Sequence, residues 1–380
     1  MTSNLVLGEE TADRHSYSVA VLRHSGPERE RLESELMAAG VPLPLTHRLV
    51  WARAGLAASS WFVAARDSYG RPRAGFAIDV SRSQALPGHL LLRADRLNVA
   101  TDSAALEACI ATLRQLAYRD RRILRVNLEL FGRNEDARHR LRSLLERSGF
   151  TRVPESRMYE QTLVMDLNPD EQALFAALSS SARRNVRELA KQPYTLQVIS
   201  DPRLGDRLNA LLLSAMARRG ADVQPVDWSR VIELSRTLPE ASRLVGVFRE
   251  GACDADALVG FAWARAHGDH VEYYLGAAAR DMNCRLAPGY PLLWDLIAWA
   301  KRIGAAWFDF GGVTAGSHEA TDDKLGGISD FKRFFSRSVA SVAEEWQLDP
   351  HPSRTALAVV ISRSAKWIQL SRERLAARRM

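Results

Sequence analysis

Apolar and polar positions alternate in short runs over much of this chain, and turn residues separate the runs. Ser60–Asp67 and Ala74–Ser81 read as two strands joined by the turn Ser68-Tyr69-Gly70-Arg71-Pro72. His89–Asn98 is a further strand, Ala104–Tyr118 repeats apolar residues at helical spacing, Leu124–Phe131 is a strand, and Glu135–Ser148 is a helix closed by Gly149. The same order recurs later. Arg243–Glu250 and Ala257–Ala266 pair around Gly251–Asp256, His270–Gly276 follows as a strand, then a helix from Pro288 to Ile303 and the strand Ala305–Phe310. Hairpin, long strand, helix and strand therefore occur twice, which predicts two copies of one α/β module.

The second copy ends in the most informative stretch, Trp294 to Phe335. Leu292, Leu293, Leu296, Ile297 and Ala300 lie at helical spacing, with Gly304 just past the helix end. Asp309 sits in the strand after it, Gly311-Gly312 lets the backbone turn sharply at the strand tip, and a loop leads to Phe331-Lys332. A carboxylate, a glycine pair and a lysine in this order resemble a site more than a scaffold. Of the 52 Lys+Arg residues only five are lysine (191, 301, 324, 332 and 366), so the compact ammonium at 332 stands out in a chain that writes its cations as arginine. A lysine capping a surface helix would fit the same residues.

Between the copies, Asn168-Pro169-Asp170-Glu171 opens a helix over Ala173–Leu178. Ser179-Ser180-Ser181 then caps a second helix, Ala182–Lys191. Its row Arg183, Arg187, Lys191 lies on one face, with Arg184 beside it. The row suits either a phosphate held near a helix N-terminus or a solvated charge face.

Length and composition narrow the class. At 380 residues and 46% hydrophobic, the chain can bury the cores of two domains. Cys109, Cys253 and Cys284 lie far apart with no CxxC pair, which points to a reducing compartment rather than a disulfide framework. Met1 to Glu10 lacks the apolar run of a signal peptide, and no apolar run approaches a membrane span, so the expected location is cytoplasmic. Residues 351–380 hold seven cations against one acid, which accounts for six of the seven net positive charges. In that tail Leu357, Ile361, Ser364, Ile368, Ser371 and Leu375 share one helical face while arginines crowd the rest. Such a helix suits the inner face of an anionic membrane through 353–380, RNA phosphates, or packing on the body.

No GxxxxGK[ST], GxGxxG, HExxH or GxSxG run is present, and the scattered histidines offer no third ligand beside His267 and His270. No metal and no bound cofactor are expected. A chemistry of positioning and electrostatics remains, in which an amine attacks an activated acyl group.

Four short runs carry a family resemblance: Tyr290-Pro-Leu-Leu-Trp294, Ala300-Lys-Arg-Ile-Gly304, Phe308-Asp-Phe-Gly-Gly312 and Gly327-Ile-Ser-Asp-Phe-Lys332. With the basic helix Ser179–Lys191 and the strand Tyr273-Tyr274-Leu-Gly-Ala277, they resemble the FemAB-like aminoacyltransferases over about 165–345. The resemblance implies an α/β (α+β) fold of two tandem GNAT-like domains, each a mixed sheet flanked by helices. They would fall at 1–165 and 166–350, with a basic C-terminal helix at 351–380. It implies transfer of an amino acid from aminoacyl-tRNA, as co-substrate, to an amine on a peptide or saccharide, most familiarly a peptidoglycan precursor. Lys332 would stabilise charge near the reacting ester, a role worth about 3–4 kcal/mol. Asp309 would orient the amine or cap the glycine turn. Arg183, Arg187 and Lys191 would contact phosphates; Tyr273, Tyr274, Gly311, Gly312 and Phe331 would complete the substrate site. Two other readings compete: an acyl-CoA-dependent N-acyltransferase on the same fold, and a membrane-associated binding module without chemistry. Arg280 to Tyr290 lacks the paired glycines that usually cradle a CoA pyrophosphate and carries Pro288 where an N–H would serve.

Overall fold

A computed structural model describes residues 17–55, 59–98, 102–154, 156–157, 159–218, 220, 223–251, 255–279, 286–313, 326–362 and 364. The first half runs β1 (Ser18–Leu22), α1 (Pro27–Ala38), α2 (Leu49–Arg53), β2 (Ser60–Arg66), β3 (Pro72–Arg82), β4 (Leu90–Asn98), α3 (Ser103–Arg119), β5 (Ile123–Phe131), α4 (Glu135–Arg147) and β6 (Thr151–Arg152). Next come β7 (Gln161–Asp166), α5 (Glu171–Ala177), α6 (Ser180–Glu188), β8 (Tyr194–Val198), α7 (Gly205–Ala217) and α8 (Trp228–Thr237). The chain continues through β9 (Ser242–Arg249), β10 (Leu258–Ala266), β11 (His270–Ala278), α9 (Gly289–Arg302), β12 (Trp307–Gly312), α10 (Gly326–Arg333), β13 (Val339–Ser341) and β14 (Ala343–Leu348). A further helix covers 352–362.

Local chemistry accounts for the predicted elements. Asp67 closes the first hairpin by accepting the N–H groups of Tyr69 and Arg71, each at 2.9 Å, which sets the β2–β3 register at Val63 opposite Phe76. Asp102 caps α3 and Asn134 caps α4 through side-chain oxygens that accept free backbone N–H groups. Ser179 does the same for α6, accepting from Ala182 at 3.1 Å.

The strands form two seven-stranded mixed sheets, β1-β2-β3-β4-β5-β14-β6 and β13-β7-β12-β11-β10-β9-β8. Taken from β1 and from β8, the orders correspond strand by strand, and so do the helices between them: α3 and α9 each link the two parallel strands at the centre. The predicted repeat is thus the architecture: two mixed sheets flanked by helices, in tandem.

Sheet membership departs from the expected division at 165/166 and 350. The strand β7, which lies before that boundary except for Asp166, is in the second sheet beside β12, while β14 returns to the first sheet beside β5. Each module thus receives its sixth strand from the neighbouring stretch of chain, and β13 and β14, one in each sheet, are separated by the buried Val342 alone. Phe131, Val164, Trp307, Val342 and Ala343 form a small core between the sheets. Burying such aromatic and aliphatic side chains contributes about 1.5–3 kcal/mol each, so the modules are held as one unit. The C-terminal helix is anchored at its start, where Arg354 and Thr355 donate to the carbonyls of Arg121 and Leu124 at 2.6 and 2.9 Å.

Candidate active site

The two modules differ where their parallel strands meet. In the first, β4 and β5 stay paired from Leu90 opposite Ile123 to Asn98 opposite Phe131. In the second, β11 and β12 pair only from His270 opposite Trp307 to Glu272 opposite Asp309. There β11 bulges: Ala264 faces Tyr273 and Trp263 faces Leu275, which leaves Tyr274 as the extra residue. β12 turns at Gly311, whose φ of 75° is one an L side chain rarely adopts. A Cβ there would stand 3.3 Å from the Tyr273 carbonyl oxygen and 3.5 Å from Lys332 Nζ.

Lys332 comes to this turn because Phe331 seats α10. The Phe331 ring packs edge-on to Tyr290 at 5.1 Å and to Phe335 at 5.5 Å, over a glycine at 289 that leaves it room. The next side chain then points to the strand tip, where Lys332, a residue 6% exposed, donates through Nζ to the Gly312 carbonyl at 2.8 Å. Ser179 N–H donates to the Phe334 carbonyl at 3.1 Å, which ties the start of α6 to the end of α10.

Asp309 is fully buried and holds the turn. Its Oδ1 accepts from Gly311 N–H at 2.8 Å, with Thr162 Oγ1 at 2.5 Å, and its Oδ2 accepts from the Tyr159 hydroxyl at 2.8 Å. Behind it lies a polar cluster that no sequence motif announces, the buried Arg96, Arg265, His267, His270 and Glu272 with the half-buried Tyr159. Burial alone would raise the Glu272 carboxyl, but the Arg265 and Arg96 guanidiniums and the His267 ring hold it well below the usual carboxylate range. Burial first, and then the charges of Asp309 and Glu272, push the Tyr159 phenol well above its ordinary value, so it remains a donor. Burial, reinforced by Arg96, keeps His267 well below its ordinary value and therefore neutral.

Of the predicted site residues, Lys332, Asp309, Gly311, Gly312, Phe331 and Tyr273 gather at this strand tip. Tyr274 does not. It lies on the opposite face of the sheet, edge-on to Trp263 at 5.1 Å with the Arg265 guanidinium 3.5 Å over its ring, because the bulge turns it toward α7 and α8. The basic row on α6 is also divided. Arg183 folds back onto the carbonyls of Ala176 and Leu178 at the end of α5, where unpaired C=O groups attract a cation. Arg187 lies over the Phe175 ring at 5.2 Å, and Lys191, 70% exposed in a 3₁₀ turn after the helix, stands 3.7 Å from Glu188. Arg184 is exposed near Tyr290, where its charge and the Ser181 hydroxyl offset part of the rise that burial causes in the phenol. Lys324, the Asp322-Asp323 pair, Cys253, Cys284, Arg280–Arg285 and most of the tail fall outside the described residues. Among the described residues no helix is long and apolar enough to cross a membrane.

Residues 176–333 match the acetyltransferase (GNAT) domain family. No curated protein matches the chain. Among solved structures, FemX is 14% identical with a TM-score of 0.70, over 87% of this chain and 98% of its own. L-PGS from Bacillus licheniformis is 12% identical with a TM-score of 0.51, over 90% and 97%. The C-terminal domain of a putative lysylphosphatidylglycerol synthetase from Agrobacterium fabrum gives 12% and 0.51, over 89% and 96%. Residues 176–333, which contain the Gly311–Gly312 turn and Lys332, match the acetyltransferase (GNAT) domain model, and the chain as a whole has a tandem fold similar to that of FemX.

Proposed function

We propose that this chain is an N-acyltransferase that takes an aminoacyl group from aminoacyl-tRNA and passes it to an amine on a peptide or saccharide acceptor. The observation that carries the reading is the buried Lys332 ammonium held against the Gly311–Gly312 turn where the β11–β12 ladder ends. In the step, the neutral amine attacks the ester carbonyl carbon of the donor. The C–N bond forms, the carbonyl oxygen gains negative charge, and collapse breaks the C–O bond to the ribose, whose oxygen leaves with a proton from the amine. The Lys332 ammonium donates to the Gly312 carbonyl at 2.8 Å, which fixes it at the turn. Aimed at the developing oxyanion, such a group is worth about 3–4 kcal/mol, or 10²–10³ in rate. Enclosed as it is, Asp309 acts through the turn and is a positioning residue. The exposed Arg184, Arg187 and Lys191 supply the phosphate contacts of α6 beside α10; Arg183 sets the α5–α6 corner. The FemX-like fold favours this donor class.

The acyl-CoA reading is supported by the acetyltransferase family match over 176–333. Titrating the protein with total aminoacylated tRNA, and separately with CoA and acetyl-CoA, across a salt series separates the two. Aminoacyl transfer predicts tRNA affinity that falls with salt at a log–log slope of about −0.7 to −0.9 per phosphate contact, with no CoA binding. Micromolar CoA binding with no tRNA binding would overturn it.

A further inference from the structure

We propose that Arg96, a residue of the first module, is a positioning residue for the reacting centre of the second, holding the Asp309–Gly311 turn through Tyr159 and Glu272. The proposal rests on reading Lys332 and that turn as the reacting centre. Among the described residues Arg96 is the one non-glycine in the left-handed region, at φ 53°. It lies where the β4–β5 register breaks between Ala94 and Leu97, so the backbone there leaves the strand's ordinary alternation. Its N–H donates to Glu129 Oε2 at 3.1 Å, and its guanidinium stacks 3.9 Å over Phe131.

From that seat the side chain, 3% exposed, enters the second sheet. Its Nη2 donates to the Tyr159 hydroxyl at 3.0 Å and pairs with Glu272 Oε1; its Nη1 lies 3.1 Å from His270 Nε2 and 4.0 Å from Asp309 Oδ2. The Tyr159 hydroxyl passes the contact on, donating to Asp309 Oδ2, and Asp309 in turn accepts from Gly311 N–H. Tyr159 also fills the space over Gly312, where any Cβ would collide with it. Arg96 also brings the cation that faces the buried Asp309 carboxylate, at 4.0 Å. Glu272 already has Arg265 on its other oxygen, with Nε at 3.1 Å and Nη2 at 2.5 Å. What Arg96 adds is a fixed donor to Glu272 Oε1 and Tyr159, and through them a fixed Asp309.

The test uses the full-length protein with Arg96→Met, Arg96→Lys, Tyr159→Phe and the Arg96→Met/Tyr159→Phe pair. Val342→Ala serves as a control that loosens the apolar contact between the sheets, against which Tyr159 also packs, while removing no hydrogen-bonding group of the polar path. Amide exchange at Gly311, followed without substrate, reads the turn directly and does not depend on which acyl donor is used. Arg96→Met and Tyr159→Phe are each expected to speed that exchange at least tenfold and to lower kcat at least tenfold with KM for the donor within twofold. The double variant should lose little more than Arg96→Met alone, and Arg96→Lys should recover part of the loss. Val342→Ala should lower Tm with wild-type kcat. Unchanged Gly311 exchange and kcat in Arg96→Met, with only Tm reduced, would overturn the proposal; Arg96 would then be an inter-module staple. Where Arg96→Met does not fold, unchanged Gly311 exchange and kcat in Tyr159→Phe overturns it equally. Full activity of Lys332→Ala alongside accelerated Gly311 exchange in Arg96→Met would sink the functional reading and leave the positioning of the turn standing.

Discussion

Replacing Gly311 by alanine tests whether the turn at the end of β12 sets the site, and Gly304→Ala supplies its control. Both glycines sit at positive φ, 75° and 82°, so an alanine at either is strained by roughly 1–2 kcal/mol. Nothing lies within 4 Å of a Cβ at 304, whereas at 311 it would meet the Tyr273 carbonyl oxygen at 3.3 Å and Lys332 Nζ at 3.5 Å. At about 1.3 °C per kcal/mol, from an unfolding entropy of about 2.1 cal/mol/K per residue over a chain of 380 residues, Gly304→Ala should lower Tm by roughly 1–3 °C, and Gly311→Ala by at least as much. Their effects on turnover should separate. Relief of the contact at 311 moves the Gly312 carbonyl that receives the Lys332 ammonium, and a shift of about 1 Å at a reacting centre costs on the order of a hundredfold in rate. Gly304, at the end of α9, holds no part of that site. Thermal melting and steady-state turnover on the same preparations decide the matter. Equal turnover in the two variants, with comparable losses in Tm, would refute the reasoning.

Three further outcomes are expected. Lys332→Ala should remain folded, by circular dichroism and thermal melting, and lose at least a hundredfold in turnover; Lys332→Arg should not restore it, because a planar guanidinium cannot stand in for a point charge in this enclosed seat. Glu129→Gln should steepen the acid side of the stability curve. Burial lifts the Glu129 carboxyl to about 7 and holds the His47 imidazole at about 4. As pH falls from 7 to 4.5 the folded state therefore gains a proton at Glu129 that the unfolded state does not take, which stabilises it, while the unfolded state gains one at His47, which destabilises it. The two nearly offset in the wild type. At about 1.4 kcal/mol per pH unit, removing the Glu129 contribution should make the variant lose about 3 kcal/mol more than the wild type across that window in urea denaturation; parallel curves would refute it. Finally, removal of residues 357–380 leaves the Arg354 and Thr355 anchors in place but takes away Leu357, Val360 and Ile361, which are 51%, 60% and 37% exposed. It should weaken binding to vesicles containing anionic lipid, measured by co-sedimentation, and unchanged binding would exclude a lipid-facing tail.

How far this arrangement was legible depended on how local its signals were. The first hairpin could be read because Asp67 closes its own turn, and the run from α9 through Gly311-Gly312 to Lys332 because each step is marked by adjacent residues. Strand β14 hid itself: Glu344 and Glu345 are both buried, matched by Arg142 on α4 and by Asn127 on β5, so its pattern of charge reads as solvent-facing. Arg96 hid in the same way, since its side-chain hydrogen-bond partners lie 63 to 176 residues further along the chain. The α6 row misled for the opposite reason. Three basic residues at helical spacing look equivalent, yet Arg183 answers to carbonyls five and seven residues before it.

The asymmetry between the modules explains why, among the described residues, one module of the duplicated fold carries this turn and the other a longer ladder. Both place a helix after the central strand, α4 after β5 and α10 after β12. In the first, Arg142 of α4 meets Glu344 of β14, and the β4–β5 ladder stays closed to Asn98 and Phe131. In the second, the ladder stops at Glu272 and Asp309, the chain turns on glycine, and the helix delivers its lysine to a backbone carbonyl at the turn. Closing that ladder would pair Tyr273 and its neighbours with the residues after Asp309 and remove the turn that Gly311 makes. A module cannot hold both the longer ladder and the turn, so a division of labour follows. The closed module is free to offer a rigid edge, and Arg96 and Glu129 stand on that edge, next to the turn of the open one.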